Sequence, residues 1–139
     1  MKSVYTTELD GIHVTISGRW QSFSISAQHR AVVPTDADDP RFSPVSIHLR
    51  ATEILPSEPL EAGVRRVMRP RIGGGRIELV PATWCNWNGL EVSWTDGISN
   101  LWSWFSEGQK NLLLEICLSV DPNSPPFTIE ALRTHVSLA

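Results

Sequence analysis

Apolar residues in this chain recur mostly at every second position, a period that belongs to strands with one face buried. Ile12, Val14 and Ile16 alternate with His13 and Thr15, and Val4 to Leu9 is expected to pair with them as a hairpin across the Asp10-Gly11 turn. Val45, Ile47, Leu49 and Ala51 form a second set, with Ser46, His48 and Arg50 facing the other way. Leu90, Val92 and Trp94 form a third, which begins after Gly89 and stops at Asp96-Gly97. Asn100 to Phe105 and Asn111 to Leu118 flank Ser106-Glu107-Gly108-Gln109, a hairpin connection, and Leu112, Leu114, Ile116 and Leu118 mark the buried face of the last strand. Phe23 to Ala27 reads as a short strand, and Ile77 and Leu79 start another. Val33 to Pro44, with three prolines and three aspartates, reads as an exposed loop.

Two windows break the period. Leu60, Val64, Val67 and Met68 recur at helical spacing, with Ser57 ahead of them and Glu58 and Glu61 near the positive end of the helix dipole. This predicts a helix over 59–68 that ends by Arg69, because Pro70 disfavours helical geometry in its predecessor and Gly73-Gly74-Gly75 follows. Ile129, Leu132 and Val136 predict a closing helix over 127–135, capped near Thr128. Strands, helix, meander, helix is an α+β order. The expected architecture is a mostly antiparallel sheet of five to seven strands with helices packed on it. At 139 residues, 41% apolar and 19% charged, the chain fits one domain over 1–139.

Composition excludes several classes. A net charge of −3 gives no bulk attraction to nucleic acid or anionic membranes. No apolar run reaches the length of a membrane span and the N-terminus lacks a signal-peptide pattern, so a cytoplasmic location is expected. Cys85 and Cys117 form no CxxC pair and read as reduced, buried thiols. His13, His29, His48 and His135 are scattered without metal-ligand spacing, and Asp36, Asp38 and Asp39 lack the glycine and final glutamate of an EF-hand loop. No GxSxG motif is present, and no histidine neighbours either cysteine in sequence. No catalytic group, metal or cofactor is therefore expected. The glycine-rich stretch from Arg69 through Arg71 to Arg76 could meet an anion, but it follows a helix rather than preceding one and lacks the P-loop Lys-Ser/Thr. It reads as a flexible connection or a contact loop for a protein partner.

The chain has six tryptophans, five of them at 84, 87, 94, 102 and 104. Trp20 and Trp94 fit core positions, the latter in register with Leu90 and Val92. Trp102 and Trp104 share one strand face, which is either packed or an uncovered platform. Trp is both a core filler and the preferred interface anchor. Stacking of nucleic-acid bases would need basic neighbours, whereas Glu91, Asp96 and Glu107 lie nearby. Candidate partner-binding residues are thus Trp87, Trp102 and Trp104, the acidic Asp36, Asp38 and Asp39, and Arg69, Arg71 and Arg76.

The order of elements resembles the PsbP and DcrB-like sandwich family, which is similar in fold to the Eag chaperones of type VI secretion. The residues that carry the likeness are Ser17-Gly18-Arg19-Trp20 after an early strand, Leu60-Glu61-Ala62-Gly63 in the middle helix, Gly89 at the start of the meander and Phe127-Thr128-Ile129-Glu130-Ala131-Leu132 near the end. The resemblance implies binding, assembly or chaperone work and no shared enzymatic activity. The expected function is that of a non-enzymatic bacterial immunity protein that binds and neutralises a toxin, its acidic loops covering a basic site. An Eag-like chaperone sheltering an apolar segment of a secreted effector is the alternative. The oligomeric state is left open.

Overall fold

Every strand pairing in the computed structural model is antiparallel, and the strands sort into two sheets. The structure describes residues 3–37, 39, 43–109, 111–123 and 128–139. The larger sheet has seven strands: β3 (Trp20–Ser26), β4 (His29–Pro34), β5 (Val45–Glu53), β6 (Val80–Trp84), β7 (Trp87–Thr95), β8 (Asn100–Glu107) and β9 (Leu112–Val120). Their spatial order is β3-β4-β5-β9-β8-β7-β6. The smaller sheet joins β1 (Val4–Leu9), β2 (Ile12–Ser17) and β10 (Val136–Leu138) in the order β1-β2-β10. Two short helices, α1 (Leu60–Ile72) and α2 (Ile129–Thr134), complete the elements among the described residues.

The period-two residues account for both faces of the large sheet. Ile47 and Leu49 on β5, Ile116 and Leu118 on β9, and Trp102 and Trp104 on β8 face one way, as their register requires. They share a cluster with Ile12, Val14 and Ile16 of β2, Leu132 of α2, and Val136 and Leu138 of β10. On the other face Val92, Phe105 and Leu113 cluster with Val64 and Met68 of α1 and with Ile77. A fully buried aliphatic or aromatic side chain contributes about 2 kcal/mol, so both clusters matter to stability. One face is covered mainly by a second sheet, where helices were expected.

Local chemistry sets the turns. Asp10 and Gly11 both take positive φ, 44° and 91°, as a tight β1–β2 hairpin requires. Cys85 and Asn86 do the same at 50° and 73°, closing a β6–β7 hairpin that Gly-based turn signals did not predict. The β8–β9 hairpin forms where its turn residues placed it.

Four boundaries differ from expectation. Ile77 and Leu79 precede their strand and do not start it: β6 begins at Val80, and Ile77 packs with Val64 and Met68 of α1. The first helix runs through Pro70 to Ile72 and is closed by Gly73, whose N–H reaches the Arg69 carbonyl at 2.9 Å. Pro70 forfeits one hydrogen bond there, and an ion pair made by Arg71, described below, holds the extra turn. Val136 belongs to β10 and pairs with Ile16, because the helix capped by Thr128 ends at Thr134. Residue 127, the expected helix start, lies outside the described residues. Val33 sits fully buried in β4 rather than in a loop, since β4 is flanked on both sides by strands.

Candidate functional site

Trp102 and Trp104 are not an uncovered platform: they are 5% and 0% exposed beneath the small sheet's cluster. Trp104 donates its indole N–H to the Ala82 carbonyl at 3.0 Å, which carries the ring across Gly89. A Cβ at Gly89 would lie 2.3 Å from the Phe105 carbonyl oxygen and 2.7 Å from the Trp104 ring. Trp84 meets Trp102 and Trp104 edge-on, with centroids 5.2 and 5.6 Å away. Trp87 is half-buried against this cluster. The aromatic load is therefore mostly core, because a cover that periodicity could not reveal arrives from residues 12–16 and 136–138.

The three arginines separate. Arg71 is held by Glu115, whereas Arg69 and Arg76 are exposed and line an open cleft of about 570 Å³ with Arg65. Arg76 lies 3.5 Å from Glu78. Asp36 is exposed and Asp39 half-buried in the β4–β5 connection, while Asp38 lies outside the described residues. Cys117 is buried, but Cys85 is exposed in its turn, contrary to the expectation of two buried thiols.

A polar knot lies on the α1 side of the sheet. Glu115 is 2% exposed and accepts two hydrogen bonds from Arg71, at 2.7 and 2.9 Å, one from Arg50 at 3.1 Å and one from Ser103 at 2.8 Å. Trp94 donates its indole N–H to Ser103 Oγ at 3.0 Å. Burial alone would raise the Glu115 pKa, but the Arg71 hydrogen bonds, with Arg50 and Ser103, hold it below its ordinary value. Burial, helped by the Glu115 charge, pushes the Cys117 thiol up to about 11. The sequence reading missed Glu115. Its signal was Leu112 to Leu118, apolar at nearly every position, which marks a strand covered on both faces and a carboxylate that must be paired.

Next to the knot runs a hydrogen-bonded chain. Ser46 Oγ lies 3.0 Å from His48 Nε2, and His48 Nδ1 lies 2.8 Å from His29 Nε2. Burial first, then the Arg50 charge, lowers both histidines to about 4. Ser46 and His48 line an open groove of about 390 Å³ with Phe23, Ile25, Ala31 and Val33. His29 and His48 looked unrelated in sequence because β4–β5 pairing brings them together.

At one end of the sheet, the β7–β8 turn presents Ile98 at 76% exposure. Asp96 Oδ1 accepts N–H bonds from Ile98 and Ser99 at 2.9 and 2.7 Å, and Thr95 Oγ1 accepts from Gly97 at 3.1 Å. Those backbone bonds, Ser99's first, lower the Asp96 pKa. A cleft of about 430 Å³ between this end of β7–β8 and α2 is lined by Glu91, Asn100, Trp102, Glu130 and Arg133, among others. Trp102 forms part of its wall, donating its N–H to Glu91 at 2.9 Å beneath the Arg133 guanidinium, 4.9 Å from the ring centroid.

Among the described residues no group of three or more His, Cys, Asp or Glu side chains is arranged to hold a metal, and no helix is long and apolar enough to cross a membrane. No protein-family model matches the chain, and no curated protein matches it. It is similar in fold to a crystal structure from Bacteroides thetaiotaomicron VPI-5482, at 11% identity and a TM-score of 0.54, over 95% of this chain. This chain spans 47% of the length of that protein. At that identity the likeness concerns the fold alone.

Proposed function

We propose that this chain is a binding protein that neutralises a cognate antibacterial toxin by stoichiometric occupation, with the β7–β8 turn and the cleft beside α2 as its docking face. The supporting observation is Ile98, a large apolar side chain held in solvent on a turn braced by Asp96 and Thr95. A turn whose backbone is already fixed loses little entropy when it docks. Asp96 on the turn and Glu130 in the neighbouring cleft suit a partner with a basic surface, while Glu91 in that cleft is already paired with Arg133 at 3.8 Å, and the net charge of −3 favours such an encounter. A PsbP-like sandwich fold, type VI secretion and a bacterial cytoplasmic setting belong to the same proposal.

The test is co-expression with a toxin encoded beside this chain. The wild-type protein is expected to restore growth at equimolar level, and Ile98→Asp is expected to lose protection while melting normally. Replacing Asp36 and Asp39 with Asn is expected to slow association and weaken its salt dependence. Protection retained by Ile98→Asp would remove the docking face. Toxin destroyed by sub-stoichiometric protein would remove occupation as the mode, and a stable complex with an effector's transmembrane segment would favour the Eag-like chaperone.

A further inference from the structure

Ser46, His48 and His29 reproduce the hydrogen-bonded order of nucleophile, base and orienting group, with the serine end opening into a groove. Such constellations are recognised by geometry and not by position in sequence. We propose that Ser46 is a nucleophile, with His48 as its base and His29 as a positioning residue, that takes the acyl group of small apolar esters. This surface is distinct from the β7–β8 docking face and goes beyond the binding role.

The groove sets the substrate class. Phe23, Ile25, Ala31 and Val33 line it with apolar surface, which suits a short alkyl acyl chain and offers no cation for a charged one. In the acylating step the Ser46 oxygen bonds to the carbonyl carbon and its proton passes to His48 Nε2. The carbon–oxygen bond to the leaving alcohol then breaks, and that alcohol leaves with the proton. Water repeats the sequence to release the acid and restore Ser46. For this order His48 carries its resting proton on Nδ1 and donates it to His29 Nε2, which fixes the ring toward Ser46.

The charged and titratable groups around His48 are His29 on β4, Arg50 on β5, Glu115 and Cys117 on β9, and Arg71 on α1. Burial first, then Arg50 and to a lesser degree Arg71, keeps the imidazole neutral, the form a base requires, and also makes it a weak base. Slow turnover with efficient trapping of activated reagents is therefore the expected behaviour.

The full chain is treated with an alkyl fluorophosphonate and, separately, with p-nitrophenyl butyrate, and the modified residue is mapped by mass spectrometry. The expected result is a single adduct on Ser46, formed at a rate level between pH 6 and 8 once the hydroxide background is removed. Ser46→Ala is expected to abolish it, and His48→Gln to slow it by about 100-fold. His29→Leu should slow it about tenfold, whereas His29→Gln, which keeps an acceptor for Nδ1–H, should restore most of the rate. Circular dichroism and melting confirm the fold of each variant, and mapping on the wild-type chain does not depend on any of them. No adduct, an adduct on the exposed Cys85 or another serine, or labelling that survives Ser46→Ala overturns the proposal.

Discussion

Glu115 is a charge held where water does not reach, and its environment makes that tolerable. Arg71 meets it with two parallel bonds, the geometry that suits a guanidinium and that a lysine would not reproduce. Removing the carboxylate leaves the guanidinium groups of Arg50 and Arg71, whose side chains are 21% and 22% exposed, without the acceptor they share. Glu115→Ala is expected to cost about 3–5 kcal/mol in urea unfolding, and Arg71→Lys a smaller but measurable part of that. Gly89 makes an equally sharp demand for a different reason. A methyl group there would collide with the Phe105 carbonyl and the Trp104 ring, neither of which can move without breaking the β7–β8 ladder or the bond to Ala82. Gly89→Ala should therefore destabilise by about 2–4 kcal/mol, well above the usual range for a surface strand substitution. A melting temperature within a degree of wild type would show that the ring has room to shift.

At the scale of elements, α1 shows how a tertiary contact overrides a local rule. Pro70 argues for stopping at Arg69, yet the helix continues because Arg71 in the added turn reaches Glu115. Pro70→Ala should restore the missing backbone bond and raise stability by about 1–2 kcal/mol, a gain that would be absent if the proline were setting the helix end. The strands with strict alternation, β2 and β5, and the β8–β9 hairpin were legible because period and turn chemistry agree there. β4, β10 and the Cys85-Asn86 turn were not. β4 buries three consecutive residues, Ala31 to Val33, and so shows no alternation, β10 is three residues long, and the turn uses non-glycine residues at positive φ. The candidate sites fared similarly. Asp96 is visible in the sequence only as a charge, since its role in bracing Ile98 depends on a turn conformation, and the Ser46–His48–His29 chain depends on which strands become neighbours.

The whole molecule should respond to acid in a defined window. His29 and His48 hold their pKa near 4 in the folded chain against 6.5 when free. Between those values the unfolded chain takes up protons that the folded chain refuses, so stability rises with pH through that window and levels off above 6.5. Glu115 has the opposite kind of group but the same direction: its lowered pKa contributes stability above about 4.5 that is lost as pH falls further. Urea midpoints are expected to be level from pH 8 to 7 and to fall steadily between 6.5 and 4, and replacing both histidines with phenylalanine should flatten the upper part of that slope. A midpoint that does not change down to pH 4 would contradict the neutral, half-buried state of the pair.

The pairing of β2 with β10 joins segments from opposite ends of the sequence, with Ser17 and His135 bonded across a separation of 118 positions. Closing so long a loop is slow, because the entropy of the intervening chain must be given up before the contact returns anything. The seven-stranded sheet can assemble from nearer neighbours first, and until β10 docks, the indoles of Trp102 and Trp104 lack part of their roof. During synthesis on the ribosome this surface would stay sticky until residues 136–138 emerge, making the nascent chain a client for chaperones at that stage. Refolding followed by tryptophan fluorescence would record the delay as a late phase, after backbone ellipticity has largely recovered.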